Sequence, residues 1–160
     1  MGFKTFAISV LGVALSFTLG ACATAAEKKT MKSEQMLVKF VVKDGAIAKS
    51  LTGKSGNAAK GRKLAINRKK GNCLACHVMP IPEQPYHGLI GPDLNGVAKR
   101  LTEGEVRARL VNPKLANPDT IMPAFYRKDG FERVLKKFKG KTMLSAEQVE
   151  DLVAYTMTLK

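Results

Sequence analysis

The sequence predicts a small all-α domain that follows an extended N-terminal arm. Three observations support this fold class. Asn57, Thr102 and Ser145 each precede a stretch of helix-forming residues and can cap its first turn. Glu105 and Gln148 stand three residues after two of these caps, which is the spacing of a capping box. The segments between the predicted helices are rich in Pro and Gly, which favour loops.

Residues 1–26 are expected to be an export signal. Lys4 precedes an apolar run from Phe6 to Leu19 that is too short for a comfortable membrane span, and small residues follow it. We expect cleavage after Ala25 or Ala26 and a location in the periplasm. The alternative is a lipid anchor at Cys22, because this residue stands in a sequence that resembles a lipoprotein processing site.

Residues 27–56 form the predicted arm. Two short β-prone runs, Met36–Val38 and Phe40–Val42, precede Asp44-Gly45, a pair that favours a turn. This pattern predicts a short strand or an extended segment. Such an arm either packs across the following domain or offers a surface to a partner.

Residues 57–160 form the predicted domain, whose first helix runs to Ile66 with Gly61 in its interior. Gly in a helix costs roughly 1 kcal/mol against Ala and usually answers a packing need. We expect the last helix to cross the first helix there, with Tyr155 against Gly61. The last helix has one apolar face at helical spacing, formed by Val149, Leu152, Val153, Thr156 and Met157.

The pattern Cys73-Leu74-Ala75-Cys76-His77 is the attachment signature of a c-type haem. Two thiols within one helical turn can each add to a vinyl group of the haem, and His77 can then coordinate the iron. A thiol redox pair or half of a zinc site are the alternatives. The first usually opens a helix after a strand, and the second needs another pair of ligands, whereas only His87 follows. The sequence therefore favours one covalently bound haem c.

The loop after the motif contains Gly91-Pro92-Asp93-Leu94. In such a loop, the carbonyl of Pro92 can accept a hydrogen bond from the free ring N–H of His77 and fix its tautomer. Leu94 could then lie against the porphyrin edge. An ordinary turn is the alternative for this tetrapeptide. His87 is expected to be a solvated loop histidine rather than an iron ligand.

A second axial ligand is expected at Met122. The second helix ends before Pro113, and Met122 follows in a loop that Pro118 and Pro123 stiffen. A thioether is a weak ligand, so a stiff loop suits it, and His/Met ligation is typical of electron-carrying cytochromes. Met143 is the remaining rival, and packing within the loop is the alternative role for Met122.

The chain is strongly basic, with a formal net charge of +14. Its positive side chains concentrate between Met31 and Lys70 and again between Arg133 and Lys141. A charge of this size steers acidic partners, although a solvated basic surface is the alternative for each single lysine. Nucleic acid is not expected, because the chain has an export signal and no nucleic-acid motif.

Two levels of resemblance agree with this interpretation. From about Asn57 to Lys160, the order of helix, haem motif, Gly-Pro-Asp-Leu, Met-Pro and closing helix resembles class I c-type cytochromes. More narrowly, the chain resembles the SoxX family, the small monohaem subunits of the sulfur-oxidation complex SoxAX, in Ser50–Gly53, Lys70–His77, Ile90–Leu94 and Glu150–Tyr155.

The resemblance implies a class I cytochrome c fold, with His77 and Met122 as axial ligands and a heterodimer with a larger SoxA-type cytochrome. In that family, the complex oxidatively joins thiosulfate to a cysteine of a SoxYZ-type carrier, and this haem passes electrons to an acceptor cytochrome. The reactive centre is attributed to the larger subunit, and this chain shows no catalytic set of its own. A free-standing electron carrier, a haem enzyme or sensor with an open iron position, and a thiol–disulfide oxidoreductase are the other functions considered.

Overall fold

The computed structural model describes residues 1–2 and 37–160, so the predicted export signal and the first part of the arm lie outside the described residues. The domain contains three α-helices, α1 (Ala58–Ile66), α2 (Glu103–Val111) and α3 (Ala146–Thr156). Four single 3₁₀ turns lie between them, at Cys73–Ala75, Val97–Lys99, Pro113–Leu115 and Lys136–Phe138. The predicted all-α fold class is confirmed. Among the described helices, none is long and apolar enough to cross a membrane.

The three helices begin where the sequence predicts. Asn57 accepts a hydrogen bond from the backbone N–H of Lys60 at 3.0 Å and caps α1. Thr102 and Ser145 form complete capping boxes with Glu105 and Gln148 at the starts of α2 and α3. Because the caps satisfy backbone donors that a helix start leaves free, these local sequences define the helix starts without long-range help.

The predicted crossing of α1 and α3 is present at Gly61. A Cβ at Gly61 would overlap the backbone carbonyl of Asp151 and would lie 2.8 Å from the Cβ of Tyr155. We expected the Tyr155 ring to contact Gly61. In the structure, the backbone of α3 at Asp151 also lies directly against Gly61. No side chain larger than hydrogen fits at this crossing without moving α3.

The described part of the arm, residues 37–56, packs against the helices. In the described part of the arm, the only β-type pairing is a single bridge between Lys43 and Ala46 around the predicted Asp44-Gly45 turn. Ile47 and Leu51 are buried in the main core with 1% and 4% of their surface exposed. The arm therefore contributes to the core as well as to the surface.

A buried ion pair fastens the arm to the helices. The guanidinium of Arg107 in α2 donates two hydrogen bonds to the carboxylate of Glu150 in α3, at 2.8 and 3.0 Å. Arg107 also donates to the carbonyl of Ile47 at 2.8 Å, and Glu150 accepts from the backbone N–H of Leu51 at 2.8 Å. Both charged side chains are only 3% exposed. The pair therefore joins α2, α3 and the arm at one point.

Replacing Gly61 by Leu is expected to prevent accumulation of folded, haem-loaded protein, because the added side chain would collide with the α3 backbone. Ala59→Leu is the matched control, since Ala59 lies on the exposed side of the same helix. The yield of haem-loaded protein measures both variants. Normal accumulation of Gly61→Leu would contradict the close crossing.

Replacing Glu150 by Gln should lower the free energy of unfolding by about 3–5 kcal/mol, because it removes the buried counter-ion of Arg107 and leaves only the exposed carboxylate of Glu103, 3.6 Å away. Glu83→Gln is the matched control. Glu83 pairs with Arg62 at the surface, where such a pair contributes less than about 1 kcal/mol. Denaturant unfolding of the haem-loaded protein measures both values. If both variants lost the same free energy of unfolding, burial would not be the reason that the Arg107–Glu150 pair stabilises the protein.

Candidate haem site

The Cys-x-x-Cys-His motif forms a single compact turn. Asn72 enters it with a positive φ of 49°, and Cys73–Ala75 form a 3₁₀ turn. The backbone N–H of Cys76 and that of His77 both donate to the carbonyl of Cys73, at 3.1 and 2.9 Å. The turn places both thiols and the imidazole on one short segment, as the predicted chemistry requires.

The following loop folds back onto the motif. The backbone N–H groups of Gly88, Gly91 and Leu94 donate to the carbonyls of Leu74, Cys76 and Val78, at 2.7 to 2.9 Å. These bonds satisfy the backbone of a segment that has no regular secondary structure. They also hold the Gly91–Leu94 tetrapeptide against the motif.

The Pro92 carbonyl oxygen lies 2.7 Å from Nδ1 of His77, which is the contact predicted from the sequence. A carbonyl can only accept, so Nδ1 carries the proton and Nε2 keeps its lone pair for a metal ion. Gly91 makes this approach possible, because a Cβ there would lie 2.6 Å from Nδ1 of the imidazole. The loop thus selects the tautomer that leaves Nε2 free to coordinate a metal ion.

A cavity of about 850 Å³ joins the predicted site residues. Cys73, Cys76, His77, Pro92 and Met122 all line it. Its wall is largely apolar, with side chains that include Leu94, Val97, Leu101, Val106, Leu110 and Phe125. The volume lies within the range of about 300–1,000 Å³ that is usual for ligand and cofactor sites.

Three methionines line this cavity. Met79 is buried with 4% of its surface exposed, Met122 is half-buried, and Met143 is 49% exposed. The backbone N–H of Met122 donates a hydrogen bond to the hydroxyl of Thr120 at 3.2 Å, which forms a tight turn just before Met122. Of the two candidate ligands, Met122 is the less exposed and has this local hydrogen bond at its backbone, while Met143 is the more exposed.

The charge around the cavity suits an anionic cofactor. In the described part of the chain, none of the residues that line the cavity is acidic. Five of them are basic, namely Arg68, Lys69, Lys70, Arg100 and Arg109. A haem carries two propionate carboxylates, which these cations can neutralise. Sequence patterns had not singled out Arg100 or Arg109, because nothing in the local sequence distinguishes them from other surface cations.

The surroundings of the Cys73 sulfur favour its uncharged form. Burial raises its pKa to about 11, with the neighbouring Cys76 thiol as a smaller contribution in the same direction. The folded chain thus stabilises an uncharged sulfur at this position. A thioether is also uncharged, so the surroundings suit the bonded form. The cavity, the His77 tautomer and the basic lining fit a haem as well.

His87 differs from its prediction. It is half-buried rather than solvated, and its Nδ1 accepts a hydrogen bond from the backbone N–H of Met79 at 3.3 Å. Its Nε2 is buried without a hydrogen-bonding partner, and the residue does not line the cavity. The loop folds back and brings His87 against the backbone of Met79. The Pro- and Gly-rich sequence around His87 predicts a loop but not this contact.

Comparisons with known proteins agree with this geometry. The family model for cytochrome c matches residues 58–160, which include all three helices and the motif. The chain belongs to the cytochrome c family. Its cofactor is therefore covalently bound haem c, a one-electron carrier, and the protein is an electron-transfer cytochrome.

A solved structure gives a narrower likeness. The cytochrome is similar to a chain in the crystal structure of SoxXA from P. pantotrophus, with 40% sequence identity and a TM-score of 0.70. The match covers 76% of this cytochrome and 94% of that chain. A search of curated proteins gives no match.

Neither alternative role for the motif gains support. The described residues contain no β-strand, so the strand that usually precedes a thiol redox helix is not found there. Among the same residues, no group of three or more His, Cys, Asp and Glu side chains could hold a metal ion. The cytochrome family assignment accounts for the motif without either.

Replacing Met122 by Ala should abolish the visible charge-transfer band from the thioether to ferric iron, because we predict that Met122 is the axial ligand. Met143→Ala is the matched control, since Met143 lines the same cavity and should leave the band unchanged. The absorption spectrum of the oxidised protein records the band. Its persistence in Met122→Ala, or its loss in Met143→Ala, would assign the ligand to another residue.

Proposed function

We propose that this cytochrome is the monohaem electron-transfer subunit of a SoxXA-type complex in the periplasm. The single observation that supports this function best is the 40% identity with a chain of SoxXA, over 94% of that chain's length. A likeness of this extent includes part of the arm as well as the haem domain. A generic electron carrier would need only the latter.

The proposed axial ligands are His77 and Met122. Pro92 holds the proton of His77 on Nδ1, which leaves Nε2 available for iron. The backbone N–H of Met122 donates a hydrogen bond to the hydroxyl of Thr120, which supports the turn that carries this side chain. Cys73 and Cys76 would tether the cofactor through two thioether bonds, so it remains in place in both oxidation states.

Leu94 and its apolar neighbours would keep water away from the metal, which favours the uncharged thioether as a ligand. Apolar surroundings and a methionine ligand both raise the reduction potential of a haem. The haem supplies one-electron exchange, and the chain's own residues set the ligation, the access of water and the docking surface.

The proposed reaction of the complex joins thiosulfate to a cysteine on a SoxYZ-type carrier. A sulfur–sulfur bond forms, the cysteine loses its proton, and two electrons leave. This cytochrome would take those electrons one at a time and pass them to an acceptor cytochrome. The sulfur chemistry itself is assigned to the SoxA-type partner, because the two cysteines of this domain, Cys73 and Cys76, would both be bonded to the haem.

The charge distribution supports an acidic acceptor. Arg68, Lys69 and Lys70 are exposed and line the cavity next to the motif. Positive side chains around the site of electron exchange raise the encounter rate with a negatively charged partner. An electron acceptor with an acidic docking surface therefore fits this side of the cytochrome.

The structure changes how the proposed complex should be tested. Deleting the whole arm would remove Ile47 and Leu51 from the core and would break the hydrogen bonds that Arg107 and Glu150 make with it. Loss of a partner after such a deletion would reflect unfolding as much as lost contact. The intact, haem-loaded protein is therefore the right material.

The haem of this cytochrome should become reduced when thiosulfate, a SoxYZ-type carrier and a SoxA-type cytochrome are all present. Absorbance under anaerobic conditions measures the reduction, and gel filtration measures the complex of the two cytochromes. A carrier whose reactive cysteine is replaced by serine is the control and should prevent reduction. If the cytochrome forms no complex and stays oxidised in the full mixture, the free-standing carrier is the correct function.

A further inference from the structure

Residues 127–143 form a largely exposed loop, here called the basic loop. Its base is closed by a hydrogen bond of 3.0 Å from the backbone N–H of Leu144 to the carbonyl of Phe125. Both of these residues are buried, whereas no residue between Tyr126 and Leu144 is buried. Apart from Met143, which lines the cavity, the basic loop adds no side chain to the core or to the cavity, so packing of the domain does not explain its sequence.

The sequence of the basic loop has the pattern of an amphipathic helix. Phe131, Val134, Leu135 and Phe138 follow one another at positions i, i+3, i+4 and i+7, which places them on one helix face. In the structure this segment is not an α-helix and contains only the 3₁₀ turn Lys136–Phe138. Phe131, Leu135 and Phe138 are 45%, 65% and 55% exposed.

Helix start and stop signals surround the same segment. Asp129 can cap a helix whose first turn begins at Gly130, and Gly140, with a φ of +67°, can end the last turn. Glu132 stands near the start and Lys137 near the end, which suits the helix dipole. The segment thus has the local sequence of a helix about nine residues long but no surface in the described chain against which to form it.

The charge of the basic loop indicates which surface is complementary to it. Seven basic residues accompany two acidic ones, Asp129 and Glu132, and the basic ones are Arg127, Lys128, Arg133, Lys136, Lys137, Lys139 and Lys141. Two of these cations lie over aromatic rings, Arg127 over Phe131 at 5.2 Å and Lys137 over Phe138 at 5.0 Å. Cations and large apolar groups are therefore presented together.

We propose that the basic loop binds the surface of an anionic phospholipid bilayer, and that residues 131–139 fold there into a short amphipathic helix. The apolar face would enter the headgroup region, while the lysines and arginines would contact lipid phosphates. This inference does not depend on the SoxXA-type function. It gives a reason for the apolar side chains, which a purely electrostatic contact would not need.

A lipid surface can bind the loop by itself, whereas a stable protein partner would need further surface. A stable protein interface buries about 800 Å² on each side and needs matched shapes, and four apolar side chains on one loop offer only a small part of such an area. A bilayer adapts to the inserted groups. Because Phe125 and Met143 line the cavity at the base of the loop, binding would also bring the haem site close to the membrane surface.

The test uses the intact, haem-loaded protein and vesicles of two compositions, phosphatidylcholine alone and phosphatidylcholine with an equal part of phosphatidylglycerol. Co-sedimentation should detect binding to the second composition only. An apolar variant, Phe131→Ser with Leu135→Ser and Phe138→Ser, should lose at least roughly tenfold in vesicle affinity. A charge variant, Lys136→Gln with Lys137→Gln and Lys139→Gln, should lose on the order of 100-fold.

The matched control replaces three exposed lysines outside the loop, Lys49, Lys54 and Lys60, by Gln. It changes the net charge equally and should bind almost as well as the unmodified protein. The chain has no Trp, so Leu135→Trp provides a single fluorescent reporter whose emission should shift to shorter wavelength on anionic vesicles.

Three outcomes would overturn the proposal. If the protein did not bind anionic vesicles, a membrane would be excluded as the partner of the loop. If the control triple variant lost as much vesicle affinity as the charge variant, binding would depend only on the net charge of the protein. Unchanged vesicle binding in the apolar variant would exclude insertion. If vesicles do not bind but an acidic protein binds and protects the loop from proteolysis, the loop is a protein-docking surface instead.

Discussion

The main constraint on this protein is a large cavity inside a domain that has only three short helices. A cavity of about 850 Å³ cannot be enclosed by α1, α2 and α3 alone, so loops form much of its wall. Those loops have little regular secondary structure and must be fixed by individual contacts. The backbone bonds from Gly88, Gly91 and Leu94 to the motif segment fulfil this role, and they place Pro92 against His77 as a consequence.

The helices and the arm supply the rigidity that the loops lack. The backbone contact at Gly61 fixes α1 against α3, and the Arg107–Glu150 pair fixes α2 against α3. The same pair binds the arm through Ile47 and Leu51. A residue pair that does not line the cavity thus stabilises the frame that holds the motif. This dependence explains why a segment that binds no cofactor is still part of the folded unit.

The sequence predicted the features that depend on local spacing. The helix caps, the Cys-x-x-Cys-His turn, the Asp44-Gly45 turn and the Pro92 contact each involve near neighbours or a short loop. It did not predict the Arg107–Glu150 pair, because the two residues are distant in sequence and look like ordinary surface charges. It selected Met122, with Met143 as the rival, but it did not predict that Met79 would also line the cavity. His87 is half-buried because its loop folds back, which composition alone does not show.

The account depends on a haem that is joined covalently to Cys73 and Cys76. The most direct measurement is the absorption spectrum and mass of the mature protein after complete denaturation, compared with a Cys73→Ala, Cys76→Ala double variant. The account predicts that the unmodified chain keeps one haem and a bis-thioether spectrum when unfolded, while the double variant is colourless. A mature chain that loses its colour on unfolding, or never acquires it in a host that matures c-type cytochromes, would contradict it.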